Sequence, residues 1–299
     1  MNNKKTNIIK DFWQKNPVGE NLVKAENNWK VHFDKYDKFR YSTEGHILTE
    51  LDNIDLKNKK ILEIGIGQAA DSYQIVKRGG IWSGLDLTDA AVERAKERFK
   101  INKVTYEEAK KGSATLIPWP DNYFDLVYSH GVLHHIPDIN KTQHEISRVL
   151  KPNGELVIML YHKSSLNYWL SIAFIRRCSL LFLIILNNLR IYKPTVDSIF
   201  YHHIDNSKKI GFFKYFKMSN FIHANTDGPK NPYSKVYTLS TLCSYFSCFD
   251  LFKNKIHFLN ERHFPGIKLL PLKFRLYLAS KFGWHLWGFL KNNKKRLLF

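Results

Sequence analysis

With 299 residues, 44% of them hydrophobic, the chain has an ordinary globular composition and enough apolar material for one large α/β domain or a core with an elaborate cap. Its 46 Lys and Arg against 27 Asp and Glu leave a net charge of +19, a field that attracts nucleic acid, anionic membrane or acidic small molecules without choosing among them. Cys178, Cys243 and Cys248 form no C-x-x-C pair and MNNKKTNIIKDFW has no apolar run after its lysines, so reduced thiols in a cytoplasmic protein are expected, rather than a disulfide framework or a secretory signal.

In chain order, FWQKNPVGEN and YDKFRYSTEGHI mix aromatic and charged residues as a helical lid does, and residues 1–55 are assigned to one. A buried strand is expected at 61–64 and a helix at 71–78 that stops on Gly79 and Gly80. A second strand follows at 81–87, then Thr88 as N-cap, with Asp89 favouring the helix dipole. Val92, Ala95 and Phe99 share one face of that helix and charged residues take the other. A weaker strand is expected around 104–107, another at 124–129, a helix around 143–150 closing on Lys-Pro-Asn-Gly, and a strand at 155–161. Strands alternating with helices in this way predict right-handed crossovers and a doubly wound, Rossmann-like parallel sheet over residues 56–165.

Ligands of such sheets bind at the carboxyl ends of the strands. The stretch ILEIGIGQAADS places Gly65 and Gly67 at the first strand's end, where the backbone turns tightly and a ligand can approach without a Cβ in the way. Asp86 ends the next strand, 23 residues after Glu63, a spacing suited to an acid that accepts from ribose hydroxyls. Ala70 stands where a dinucleotide fingerprint wants its third glycine, and Glu63 would repel a pyrophosphate but not an ammonium or a sulfonium.

E-I-G-I-G, G-L-D-L-T at 84–88, GSATLIPWPDNYFDLVYSHGVLHHIPD at 112–138 and EISRVLKPNGELVIMLYHKSS at 145–165 resemble the successive motifs of class I S-adenosylmethionine-dependent methyltransferases, in the broad group that includes the quinone-biosynthesis enzymes. The resemblance spans about a hundred residues and implies a seven-stranded sheet whose last two strands lie near 250–259 and 284–291, within a C-terminal part at 241–299. It implies S-adenosylmethionine as cofactor, with Glu63, Gly65 and Gly67 at its methionine part and Asp86 and Leu87 at its ribose. Ser113 and Ala114 fall at its adenine, and Ser129 is a further cofactor-binding candidate. Two departures stand out: Gln68, Ala69 and Ala70 replace a further glycine, and Ser113 stands where the family commonly has aspartate, so that a hydroxyl would accept from the adenine amino group.

The implied chemistry is displacement at a sulfonium methyl, in which an enol or phenol needs little help, whereas a plain hydroxyl or a protonated amine needs a base. His130, at the end of the fourth strand, is the first candidate. His134 reads as a packed core histidine, and His162, His202 and His203 are alternative bases that nothing ranks. No metal is expected, since the i, i+4 pair His130 and His134 has no clear third ligand.

Residues 166–240 are assigned to a substrate-binding cap. Within it, 223–238 reads as an ordered loop at the substrate pocket. Arg176 and Arg177 divide the apolar stretch 166–192 into runs too short to span a bilayer, leaving helices that wall an apolar pocket or an interfacial pair resting on anionic lipid; the first reading is preferred. The expected function is methyl transfer to a small, partly apolar or anionic acceptor in the cytoplasm. RNA methylation is the alternative suggested by charge, though no RNA-binding module is recognisable. A non-catalytic cofactor-binding protein at the inner membrane face is the other. The oligomeric state is not set.

Overall fold

The computed structural model describes residues 2–19 and 28–294. In chain order these form α1 (Asn2–Lys15), α2 (Trp29–Thr43), α3 (His46–Asp52), β1 (Lys60–Ile64), α4 (Ala70–Lys77), β2 (Ile81–Asp86), α5 (Asp89–Ile101), β3 (Glu108–Lys111), β4 (Phe124–His130), α6 (Ile139–Val149) and β5 (Leu150–Tyr161). A π-helical stretch, Asn167–Arg176, runs on into α7 (Arg177–Asn188), followed by α8 (Ile199–Ile210), α9 (Phe212–Phe216), α10 (Met218–Phe221), α11 (His223–Thr226), α12 (Leu239–Tyr245), β6 (Phe249–His257), α13 (Leu272–Phe282) and β7 (His285–Asn292).

The seven strands form one sheet in the order β3-β2-β1-β4-β5-β7-β6, and the pairs β3/β2, β2/β1, β1/β4 and β4/β5 are parallel. The chain grows outward from β1 to β3 and then returns to add β4 on the other side of β1, so the order reverses between β1 and β4. The central strands are buried on both faces, as parallel strands under helices must be. Thr88 is the N-cap of α5, its Oγ1 accepting from Ala91 N. Gly79, at φ +82°, ends α4. The last two strands lie within a residue or two of their expected places.

The third strand lies later than expected, at Glu108–Lys111 rather than 104–107. Val104 and Tyr106 pack instead against the cluster built around Trp82 and Phe99, so their apolar character reports burial in a connection. The strand itself, Glu-Ala-Lys-Lys, is polar because it is the sheet edge, where lysines discourage pairing with another chain. In β5 the pairing with β4 jumps from Leu150 to Glu155, so Lys-Pro-Asn-Gly bulges out of a longer strand instead of separating helix from strand.

The chain forms two compact units, one of residues 1–160, 239–255 and 287–299, the other of 161–238 and 256–286. The first holds the sheet's core cluster of Ile61, Trp82, Phe99, Leu126 and Trp287. The second has its own cluster of Tyr168, Ile172, Leu180, Ile184, Tyr215 and Phe221. Within the second, residues 223–238 are a short helix, α11, followed by a loop held by hydrogen bonds: Asn231 Nδ2 donates to Ser234 Oγ at 2.7 Å and Tyr161 donates to Asp227 at 2.8 Å. The stretch 167–188 is not divided at its two arginines but is one continuous helix of 22 residues.

Candidate functional site

The turn after β1 combines three positive-φ residues that serve different ends. A Cβ on Gly65 (φ +88°) would lie 2.1 Å from Val132 Cγ2, so this glycine is required by packing against the chain beyond β4. Gly67 (φ +58°) would meet nothing within 4 Å, which leaves its backbone open to approach. Ala69, at φ +56°, occupies the left-handed region without a glycine's freedom, at a cost of about 1–2 kcal/mol, and leads straight into α4.

Asp86, at the end of β2, fastens this turn. Its Oδ2 accepts from Ile66 N at 2.8 Å and Gly67 N at 3.4 Å, and its Oδ1 accepts from Thr88 N at 2.9 Å and Thr88 Oγ1 at 2.8 Å. Burial pushes its carboxyl above the ordinary value, and these four bonds oppose the shift. Glu63 lies underneath rather than at the surface. It is 3% exposed and accepts from Ser72 Oγ and, at 2.7 Å, from Trp82 Nε1. Burial first, and then the Asp71 charge, push its carboxyl up to about 8.

The lid helix α2 meets the turn through buried polar groups. Arg40 donates to both oxygens of Asp71 at 2.9 and 2.6 Å, and Tyr41 and Tyr128 add hydroxyl bonds to the same carboxylate at 3.1 Å each. Burial is the largest influence and raises Asp71, but the Arg40 charge and the hydrogen bonds from Arg40 and Tyr41 together outweigh it and hold the carboxyl at about 2. Arg98, 1% exposed, pairs with Asp37 of α2 at 2.8 and 3.0 Å while its Nε donates to the Gln68 carbonyl at 3.1 Å. The Gln68 side chain lies 3.3 Å from His32 Nε2 and donates to Val18 O at 3.0 Å. Gln68, where the resembling family often has glycine, is thus the latch between turn and lid.

His130 stands at the end of β4, with Nδ1 3.3 Å from the Arg40 guanidinium and its ring against Trp287. A guanidinium only donates, so Nδ1 accepts and the neutral ring carries its proton on Nε2. Burial and then the Arg40 charge push its titration well below the ordinary histidine value. Ser129 is wholly buried and donates to the Ile64 carbonyl at 2.9 Å, which closes the floor between β4 and β1 instead of presenting a hydroxyl. Ser113 Oγ lies 2.8 Å from Thr115 Oγ1 and accepts from Thr115 N at 3.2 Å; Ala114 beside it is buried, and Leu87 follows Asp86 half-buried. Among the alternative bases, His162 Nδ1 lies 3.0 Å from the Gly283 carbonyl, His203 Nδ1 lies 2.5 Å from the Tyr215 hydroxyl, and His134 is fully buried with its titration pushed down by burial.

The structure therefore gathers Glu63, Gly65, Gly67, Asp86, Ser129 and His130 around the ends of β1, β2 and β4. Sequence reasoning missed Arg40, Asp71, Gln68, Arg98 and Asp37. Asp71 alone carried a signal, as an acid on the buried face of α4.

Comparison with known proteins places residues 62–158 in the family described as "Methyltransferase domain". The chain is 32% identical over 104 residues to phosphoethanolamine N-methyltransferase 2 of Caenorhabditis elegans, an alignment covering 34% of this chain and 24% of that protein. It is 30% identical over 159 residues to a sterol 24-C-methyltransferase of Yarrowia lipolytica, covering 50% of this chain and 38% of that one. The chain thus spans well under half the length of these relatives. Among solved structures, an S-adenosylmethionine-dependent methyltransferase from Mesorhizobium loti superposes with a TM-score of 0.53 at 14% identity, over 84% of this chain and 98% of that one, a likeness of fold.

Gly65→Ala is expected to destabilise the protein in chemical denaturation through its overlap with Val132. Gly67→Ala should cost only about 1 kcal/mol of backbone strain while weakening any ligand that lies on the turn. Arg40→Met would leave the Asp71 charge buried and unpaired, at a cost of about 3–5 kcal/mol in the same assay. A carboxyl raised by folding stabilises most below its unfolded value and loses that contribution as pH rises through the folded one. Thermal unfolding of Glu63→Gln, relative to the unaltered protein, should therefore gain stability steadily between pH 4.5 and about 8.

Proposed function

We propose that the chain, whose residues 62–158 match a methyltransferase domain, moves a methyl group from S-adenosylmethionine to a small, partly apolar acceptor. The observation that carries the reading is the placement of an open glycine turn and an acceptor-only carboxylate at the ends of adjacent strands, beside the point where strand order reverses. The residues fit a nucleoside with a sulfonium rather than a pyrophosphate. Asp86 offers acceptors to hydroxyls, Gly67 leaves room for close approach, and Glu63 lies under the turn as an acid that a nearby cation would favour in its charged form.

The bound cofactor supplies a methyl group already activated on sulfur; the chain's part is to bind, align and exclude water. Asp86 holds turn and ligand together, because the oxygens that order Ile66, Gly67 and Thr88 are those that would receive the ribose hydroxyls. The lid latch through Gln68, Asp37 and Asp71 holds α2 against the turn, and Tyr128 and Trp287 beside His130 make the end of β4 apolar. With its Nδ1 lone pair engaged by Arg40, His130 orients an acceptor rather than removing its proton. The reading therefore favours acceptors acidic enough to need no base, such as enols, phenols or carboxylates. The relatives named for a nitrogen and for a sterol carbon share the domain, so the domain itself does not select the acceptor atom.

The test incubates the full chain with methyl-labelled cofactor and a panel of phenols, enols, plain alcohols, amines and RNA. Label on an acidic small molecule, absent from the alcohols, is the expected result. Asp86→Asn should raise the KM for the cofactor tenfold or more with kcat within a few-fold, as the loss of charge-assisted bonds worth about 1.5–3 kcal/mol requires. Label on RNA alone, or cofactor binding by calorimetry with no transfer to any acceptor, would overturn the reading.

A further inference from the structure

The second unit carries its amphipathicity the wrong way round for a protein surrounded by water. In the helix 167–188, Leu180 and Ile184 are buried in the unit's own cluster. Phe174, Leu181 and Ile185 are spaced by seven and four residues and Phe182 lies three before Ile185, so the four share one side of the helix; all are exposed, Phe174 to 63% and Phe182 to 61%, as is Leu189 just beyond its end. The face that would be charged in a soluble surface helix is apolar instead. Helix α13 repeats the anomaly. None of its eleven residues is buried, and Leu272, Phe274, Leu276 and Tyr277 stand exposed around Lys273 and ahead of Lys281.

Net positive charge concentrates in the same unit, because acids are scarce there. Residues 161–238 and 256–286 hold sixteen Lys and Arg against four Asp and Glu, so twelve of the chain's nineteen excess positive charges lie there. Several are exposed beside the apolar side chains: Lys193 after Leu189 and Ile191, Lys214 and Lys217 around the 89%-exposed Phe213, and Lys273 and Lys281 on α13. Exposed apolar area interleaved with exposed lysines is complementary to one surface, an anionic lipid headgroup layer over acyl chains.

We propose that this unit docks onto an anionic bilayer, burying the Phe174–Leu181–Phe182–Ile185 face in the interface and setting its lysines among the headgroups. The 22-residue helix is long and apolar enough to cross a bilayer by length and composition. It lies in the interface instead, because its opposite face is already committed: Tyr168, Ile172, Leu180 and Ile184 pack within the unit, and Arg176 donates to the Asn225 carbonyl at 2.7 Å. A spanning helix would give up those contacts and carry two arginines to the middle of the hydrocarbon. The stretch buries one face in the unit's own cluster and turns the other outward.

Flotation of the full chain with vesicles of phosphatidylcholine alone, or with one third phosphatidylglycerol, tests this. Binding should be at least tenfold stronger to the anionic vesicles, weaken with salt, and be released by alkaline carbonate. The double variant Phe174→Glu/Phe182→Glu, altered at exposed positions, should keep its circular dichroism and its affinity for the cofactor product by calorimetry, yet lose vesicle binding at least tenfold. Equal binding to both vesicles, resistance to carbonate, unaltered binding by the variant, or a stable dimer in sedimentation that the variant dissociates would each overturn the proposal. Loss of cofactor binding in the unaltered protein would instead count against methyl transfer and leave the vesicle result standing by itself.

Discussion

The carboxylate of Asp71 is 5% exposed and still ionised, and that single fact organises the first unit. A charge removed from water this far persists only where a counter-charge and hydrogen bonds replace the lost hydration. Arg40 supplies the counter-charge from α2, and Tyr41 and Tyr128 complete the shell. The lid helix is thereby a partner that α4 requires. Because the same guanidinium reaches His130 Nδ1, the pair also sets the tautomer at the end of β4. Electrostatics that stabilise the lid and electrostatics that prepare the site are one arrangement: burial raises Glu63 and lowers His130, while Asp71, which burial alone would raise, is held down by Arg40 and its hydrogen bonds.

Asp86 plays a comparable double part at the ligand's end. Its oxygens hold the turn closed through Ile66 and Gly67 in the same positions from which they would receive hydroxyls, so turn geometry and ligand affinity are coupled. An acid at this place gives the turn a shape of its own before anything binds, which lowers the ordering cost of association. Ala69 fits this view: a left-handed alanine is strained in isolation and persists because the bonds on either side of it, to Asp86 and to Gln68, determine the backbone.

The sheet was legible in the sequence because parallel strands and their helices announce themselves by period and punctuation, and because Gly65, Gly67 and Asp86 stand at fixed offsets from them. What was not legible depended on contacts across long separations. Arg40 to Asp71 spans 31 positions, Arg98 to Asp37 spans 61, and no local pattern marks either arginine as buried. The sequence places Glu63 at the strand end but does not show that Trp82 and Ser72 enclose it. The edge strand slipped by four residues for a related reason, since the residues that looked strand-like were buried by Phe99 and Trp82 instead of paired.

The helix 167–188 shows the limit most clearly. Its composition is equally that of a core helix, a membrane span and an interfacial helix, and the two arginines in its middle break a hydropathy profile without breaking a backbone. The readings separate only once one knows which face is taken. Leu180 and Ile184 point inward and Phe174, Leu181, Phe182 and Ile185 do not, so the apolar residues exceed what the unit's own cluster absorbs. Counting apolar residues gives the size of a core. Only the fold shows how much of that apolar surface is left over for something outside the chain, and in this unit the remainder coincides with most of the chain's net positive charge, which water alone does not account for.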